Sequence, residues 1–174
     1  MRNSKMLLSV AVVAAVGLLS GPASAATTLT DTFHVNIAIE DSCFLATDTA
    51  SDIDFGTHSH APTIVQGSGQ IQVSCTDGTP YDLGLDGGQH SSGANATQPT
   101  QGDRHMSHLG TDLIQYDLFQ DPAHHLFWGN QIGIDTVQGV GDGAIQTIVV
   151  YGTVPSTNAP AGIYSDIVTV SLTF

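Results

Sequence analysis

Hydrophobic and polar positions alternate along much of this chain with a period of two. Leu29, Phe33, Val35, Ile37 and Ile39 share one parity, broken at Asp31. Ile71, Val73 and Cys75 alternate next, and Tyr81, Leu83 and Leu85 follow after the turn-forming stretch Asp77-Gly78-Thr79-Pro80. Ile114, Tyr116 and Leu118 repeat the pattern, Ile145 to Val154 is a long β-rich run, and Tyr164 to Phe174 places Val168, Val170, Leu172 and Phe174 on one face. Period two means strands with one buried face and one wet face. No helix-period segment follows residue 25. Short β-branched and aromatic runs punctuated by Gly, Pro, Asn, Asp and Ser predict an all-β sandwich or barrel.

Two stretches are expected to be loops. Residues Asp86 to Asp103 are rich in Gly, Ser, Asn and Gln, and Gly129 to Gly143 carries five glycines. Such compositions bury too little apolar surface to order themselves alone. The alternating segments at the two ends raise a separate question. Exposed edge strands are usually blunted by charge, proline or bulges. Each end segment could pair with its own sheet or with another copy of the chain, and the pattern does not name the partner.

The first residues change the picture by fixing the compartment. Arg2 and Lys5 precede an apolar run from Met6 to Leu19, and Ala23-Ser24-Ala25 is a small-x-small cleavage site. These features predict a secretory signal peptide over residues 1–25 and a mature domain over 26–174. The run is shorter than the roughly 20 residues a spanning helix needs, so no direct membrane insertion is expected. Removing it leaves one cation, Arg104, and no lysine against 16 Asp and Glu. Nucleic acid and anionic membrane surfaces are thereby excluded as partners, since both require clustered Lys and Arg. In an oxidising compartment the two cysteines, Cys43 and Cys75, are expected to form one disulfide.

Candidate chemistry is sparse. His58-x-His60, His105 with His108, and His124-His125 share no ligand spacing, and a metal site needs three or four converging groups. Asp135 and Asp142 lack the regular oxygen ligands of a calcium loop. No Gly-x-Ser-x-Gly elbow occurs. Asp52 and Asp54 could form an acid–base pair on one strand face, although a turn role for Asp54 is the stronger reading. Trp128 is expected in the core, where large aromatics belong. No enzyme activity, metal or cofactor is expected.

The same residues, taken in order, resemble the spore coat protein U domain family, which includes the pilins of archaic chaperone–usher pili. The resemblance rests on the alternating segment leading to Cys43, Asp54-Phe55-Gly56, Ile71-x-Val73-x-Cys75, Gly78-Thr79-Pro80-Tyr81 and Leu85-Asp86-Gly87-Gly88. Arg104-His105-Met106, Tyr116-x-Leu118, Asp121, Trp128-Gly129, Gly139-x-Gly141, Val150-Tyr151-Gly152 and Val154-Pro155 follow. Ala161-Gly162-x-Tyr164-x-Asp166 and the terminal Phe174 complete the series.

That resemblance implies an immunoglobulin-like sandwich left incomplete by one strand and completed by donor-strand exchange. It implies a secreted structural subunit of a surface pilus or coat, serving adhesion and biofilm formation. The expected partners are other copies of itself or related subunits, a periplasmic chaperone and an outer-membrane usher. Leu29, Phe33, Val35 and Ile37 are the expected donor residues, by β-augmentation. Val168, Val170, Leu172 and Phe174 are expected to face the core and border the open groove. The alternative is a soluble or tip adhesin, or a carbohydrate-binding module, on the same sandwich.

Overall fold

The computed structural model describes residues 26–45, 52–59, 63–93 and 95–174. The expected signal peptide lies outside the described residues, as does His60. The described residues up to Ile37 belong to one unit, and those from Ala38 onward form the folded body.

Among its described residues the body contains nine strands: β1 Cys43–Leu45, β2 Val65–Cys75, β3 Pro80–Leu85, β4 His105–His108, β5 Asp112–Gln115, β6 Asp117–Phe119, β7 Val137–Val140, β8 Ile145–Val154 and β9 Val170–Thr173. No helix occurs among the described residues, and none is therefore long and apolar enough to cross a membrane. One sheet runs in the order β1-β2-β8-β6, a second β7-β3-β9, and β4 and β5 form a separate hairpin. The architecture is all-β, as the alternation predicts, with its strands in more than one sheet.

The alternating residues explain the core. On β8, Val150, Gly152 and Val154 turn inward while Ile145, Thr147 and Val149 face solvent. The long β2–β8 ladder, from Val65↔Val154 to Ser74↔Ile145, pairs these inward rows. Val65, Ile71, Leu83, Leu85, Leu118 and Val150 then meet around Trp128, which is fully buried and donates its indole N–H to Leu83 O at 2.9 Å. A smaller cluster of Val73, Cys75 and Tyr81 fills the β1 end. There Cys43 and Cys75 face each other across β1 and β2 and form the expected disulfide.

Arg104 is fully buried as well. Its guanidinium donates to three carbonyls, those of Leu85, Asp86 and Trp128, each at 2.8 Å. Among the described residues it makes no ion pair, and its charged group sits 5.1 Å from the centre of the Phe127 ring. Burial pulls its pKa below the ordinary value, opposed by the field of Tyr116 and nearby carboxylates.

Three expectations change. Val137–Val140 lies inside the expected Gly129–Gly143 loop yet pairs with β3 from Pro80↔Val140 to Leu83↔Val137. Its composition is weak, and the ladder offered by β3 overrides it. The C-terminal run yields a strand only from Val170 to Thr173. Phe174 lies beyond the last β9 pair, Asp82↔Thr173, and is 59% exposed instead of facing the core. Residues 26–42 form no strand despite their alternation. Alternation fixes which side is apolar, but a strand also needs a hydrogen-bonding neighbour.

Candidate functional site

The body carries an open groove of two adjoining cavities, of about 500 and 710 Å³. Ile71, Leu85, Leu118 and Val150 line the first, and Val65, Ile114 and Val154 line the second. All belong to the main apolar cluster or pack against it, so the groove opens directly onto the core. Ile53, Phe55, Met106 and Tyr164 border both cavities.

One wall is the segment 52–59. Ile53 and Phe55 turn inward and pack on the core while Asp52 and Asp54 stay exposed. Asp54 accepts the Gly56 N–H at 2.8 Å, a local turn in which Gly56 takes φ +79°. The wall lies close to the sheet because Gly67 and Gly152 pair directly across β2 and β8. A Cβ on Gly152 would lie 2.8 Å from Phe55 Cζ, and one on Gly67 would lie 3.0 Å from Ile53 Cγ2. Two glycines side by side thus make the notch that receives the wall's apolar side chains.

The other wall is the chain leading into β9. On one side, residues 165, 167 and 169 are bonded. Ser165 and Ser107 exchange both backbone hydrogen bonds, Gln89 N–H donates to Ile167 O at 3.2 Å, and Asp86 N–H donates to Thr169 O at 3.1 Å. On the other side, no backbone–backbone hydrogen bond involves the N–H or C=O of Tyr164, Asp166 or Val168 among the described residues. None reaches 52–59 either. Backbone groups at a sheet edge template a further strand. The groove therefore offers an apolar floor and an edge at 164–168 without backbone partners, which suits an extended segment with alternating apolar side chains.

The expected groove residues divide. Val168 and Val170 line the first cavity, Leu172 packs against the core beside it, and Phe174 is exposed. In the N-terminal unit, Leu29, Phe33, Val35 and Ile37 are 83 to 92% exposed, and Ile39 in the body is 78% exposed. Apolar exposure this continuous marks a surface made for contact. The histidines bring together no site: no group of three or more His, Cys, Asp or Glu residues could hold a metal among the described residues. His108 instead stacks on Tyr164, and His124 packs against Phe119.

Sequence reasoning missed the 52–59 wall and its glycine notch. It named Asp166 in the Tyr164-x-Asp166 motif but gave it no role; the side chain is 3% exposed and accepts hydrogen bonds from Gln89 N–H, His90 N–H, His90 Nδ1 and the Tyr116 hydroxyl. Burial, followed by donation to Asp166, holds the Tyr116 phenol well above its ordinary pKa.

Comparisons with known proteins agree with this geometry. The family model of the spore coat protein U domain matches residues 29–171. Protein U of Myxococcus xanthus is 29% identical over 175 residues, covering 94% of this chain and 95% of that protein. Among solved structures, the chaperone–tip adhesion subunit pre-assembly complex CsuC–CsuE, from archaic chaperone–usher Csu pili of Acinetobacter baumannii, matches with a TM-score of 0.54 and 26% identity. That match covers 78% of this chain, which spans only 40% of the solved chain.

Proposed function

Since the chain belongs to the spore coat protein U domain family, we propose that it is an exported structural subunit of a surface pilus or coat, polymerising by donor-strand complementation. The donor is the segment containing Leu29, Phe33, Val35 and Ile37, and the acceptor is the groove of another copy. The carrying observation is the groove itself: an apolar floor beside an edge, 164–168, whose residues Tyr164, Asp166 and Val168 have no backbone–backbone hydrogen bond among the described residues. The same chain displays an exposed alternating segment of suitable chemistry. Main-chain hydrogen bonds would supply affinity, and alternate side chains would set register.

A periplasmic chaperone fits the same groove before assembly, consistent with the chaperone-bound state of the Csu subunit. An outer-membrane usher would then exchange chaperone for donor. In this reading the subunit serves adhesion and biofilm formation as part of the fibre. It carries no enzymatic activity.

Deleting residues 26–37 tests the reading. Full-length protein should form linear oligomers, visible by electron microscopy and as a ladder on gels without boiling. The deleted protein should accept a donor but give none, and so should shorten those oligomers when mixed in. Oligomers of undiminished length made by the deleted protein alone would refute the donor assignment.

A further inference from the structure

The acceptor wall at 164–169 is held in an unusual way. β9 begins only at Val170, where β3 supplies a ladder. Before it, the wall has only scattered backbone partners: Ser165 pairs with Ser107 on β4, and the carbonyls of Ile167 and Thr169 accept from Gln89 and Asp86 in the loop after β3. Two carboxylates add to these bonds. Asp86 Oδ1 accepts the N–H of Gly88 at 2.9 Å and of Thr169 at 2.8 Å. Asp166 reaches from the wall to the loop, accepting Gln89 N–H and His90 Nδ1 at 2.9 Å, with His90 N–H at 3.3 Å. Its second oxygen accepts the Tyr116 hydroxyl at 2.7 Å, on the lining of the first cavity.

The loop is shaped for this contact. Gly88 takes φ +78°, and a Cβ there would lie within 1.9 Å of Asp166 Oδ2. Only glycine lets the loop come so close. Leu85-Asp86-Gly87-Gly88 and Tyr164-x-Asp166 are thus two halves of one tie.

We infer that Asp166, assisted by Asp86, is a positioning residue for strand acceptance: it holds the wall extended from its closed side, so that the N–H and C=O of Tyr164, Asp166 and Val168 stay aligned along the open edge. This rests on the donor-strand reading of the groove. A wall fixed beforehand spares the incoming segment the entropy of ordering its own partner. Asp166 ties the wall through its side chain, while its backbone N–H and C=O keep no backbone partner among the described residues.

The test uses the full chain, diluted until it runs as a monomer, and a synthetic peptide of residues 27–40 with a fluorescent label. Asp166→Asn keeps the shape and removes the charge. We expect its peptide affinity to fall about tenfold, with hydrogen–deuterium exchange rising at 86–90 and 164–169 and not in β2 or β8. Tyr116→Phe and His90→Ala each remove one arm and should give smaller losses in the same two readouts. Val73→Ala, in the separate small cluster, is the control: it should lower the melting temperature but leave peptide affinity unchanged. If Asp166→Asn does not accumulate, the two single-arm variants decide. Unchanged affinity and unchanged local exchange in folded Asp166→Asn, or in both single-arm variants, overturns the inference. Failure of the wild-type protein to bind peptide would count against the donor reading instead, and the exchange pattern would still decide whether Asp166 holds the wall.

Discussion

Replacing Arg104 by methionine keeps an unbranched side chain but removes all of its donors. Three buried carbonyls, those of Leu85, Asp86 and Trp128, then lose their partner. Each buried group left unpaired costs about 1–3 kcal/mol, and a shared cavity relaxes part of that, giving about 3–6 kcal/mol in total. The loss compares with the whole stability of an ordinary domain, about 5–15 kcal/mol. For a domain of this size it corresponds to a fall of about 6–24 °C in melting temperature. Arg104→Lys should recover a minority of it, because one compact ammonium on a flexible stem cannot match a planar fork across three carbonyls. Urea denaturation followed by tryptophan fluorescence is the suitable assay, since Trp128 lies at the contact. A loss under about 1 kcal/mol for Arg104→Met would refute the view that this arginine fastens the loop after β3 to Trp128.

The disulfide closes a separation of 32 residues, so Cys43→Ser with Cys75→Ser should lower stability by about 3.5–4 kcal/mol by chain entropy, read from the shift in denaturation midpoint. Gly152→Val should collide with Phe55 and cost about 1–3 kcal/mol, with peptide acceptance falling as the 52–59 wall shifts. Leu172→Ala should cost about 1–2 kcal/mol, because Leu172 packs on both apolar clusters. Phe174→Ala, beyond the last ladder pair, should stay within about 0.5 kcal/mol in the same melts.

The long strands were legible because each carries enough alternating residues to fix its own face. β2, β3 and β8 lie where Ile71, Val73, Tyr81, Leu83 and the Ile145–Val154 run place them. β7 was not legible: Val137-Gln138-Gly139-Val140 is too short and too glycine-rich to announce a strand without β3 beside it. The segment from Leu29 to Ile39 erred the other way, with a clear pattern and no strand. The groove was legible only in part. Val168 and Val170 lay in an apolar row, but Ile53 and Phe55 belong to a short, polar-flanked stretch. Their role depends on Gly67 and Gly152, 85 positions apart and adjacent only through the ladder. Arg104 did leave a signal: it is the one Lys or Arg after residue 25, an unusual economy of charge, and burial explains it.

The account turns on whether the body lacks a strand that its own N-terminal segment can supply. The most direct measurement moves residues 26–37 to follow Phe174 through a short flexible linker and compares melting temperatures by circular dichroism with the form lacking that segment. The linker brings the segment to an effective concentration of about a millimolar, enough to favour internal insertion. The account predicts a monomer melting well above the deleted form, with exchange protection appearing at 164–168. Equal melting temperatures, with the deleted form already a well-behaved monomer, would show that the sandwich is complete without a donor and contradict the account.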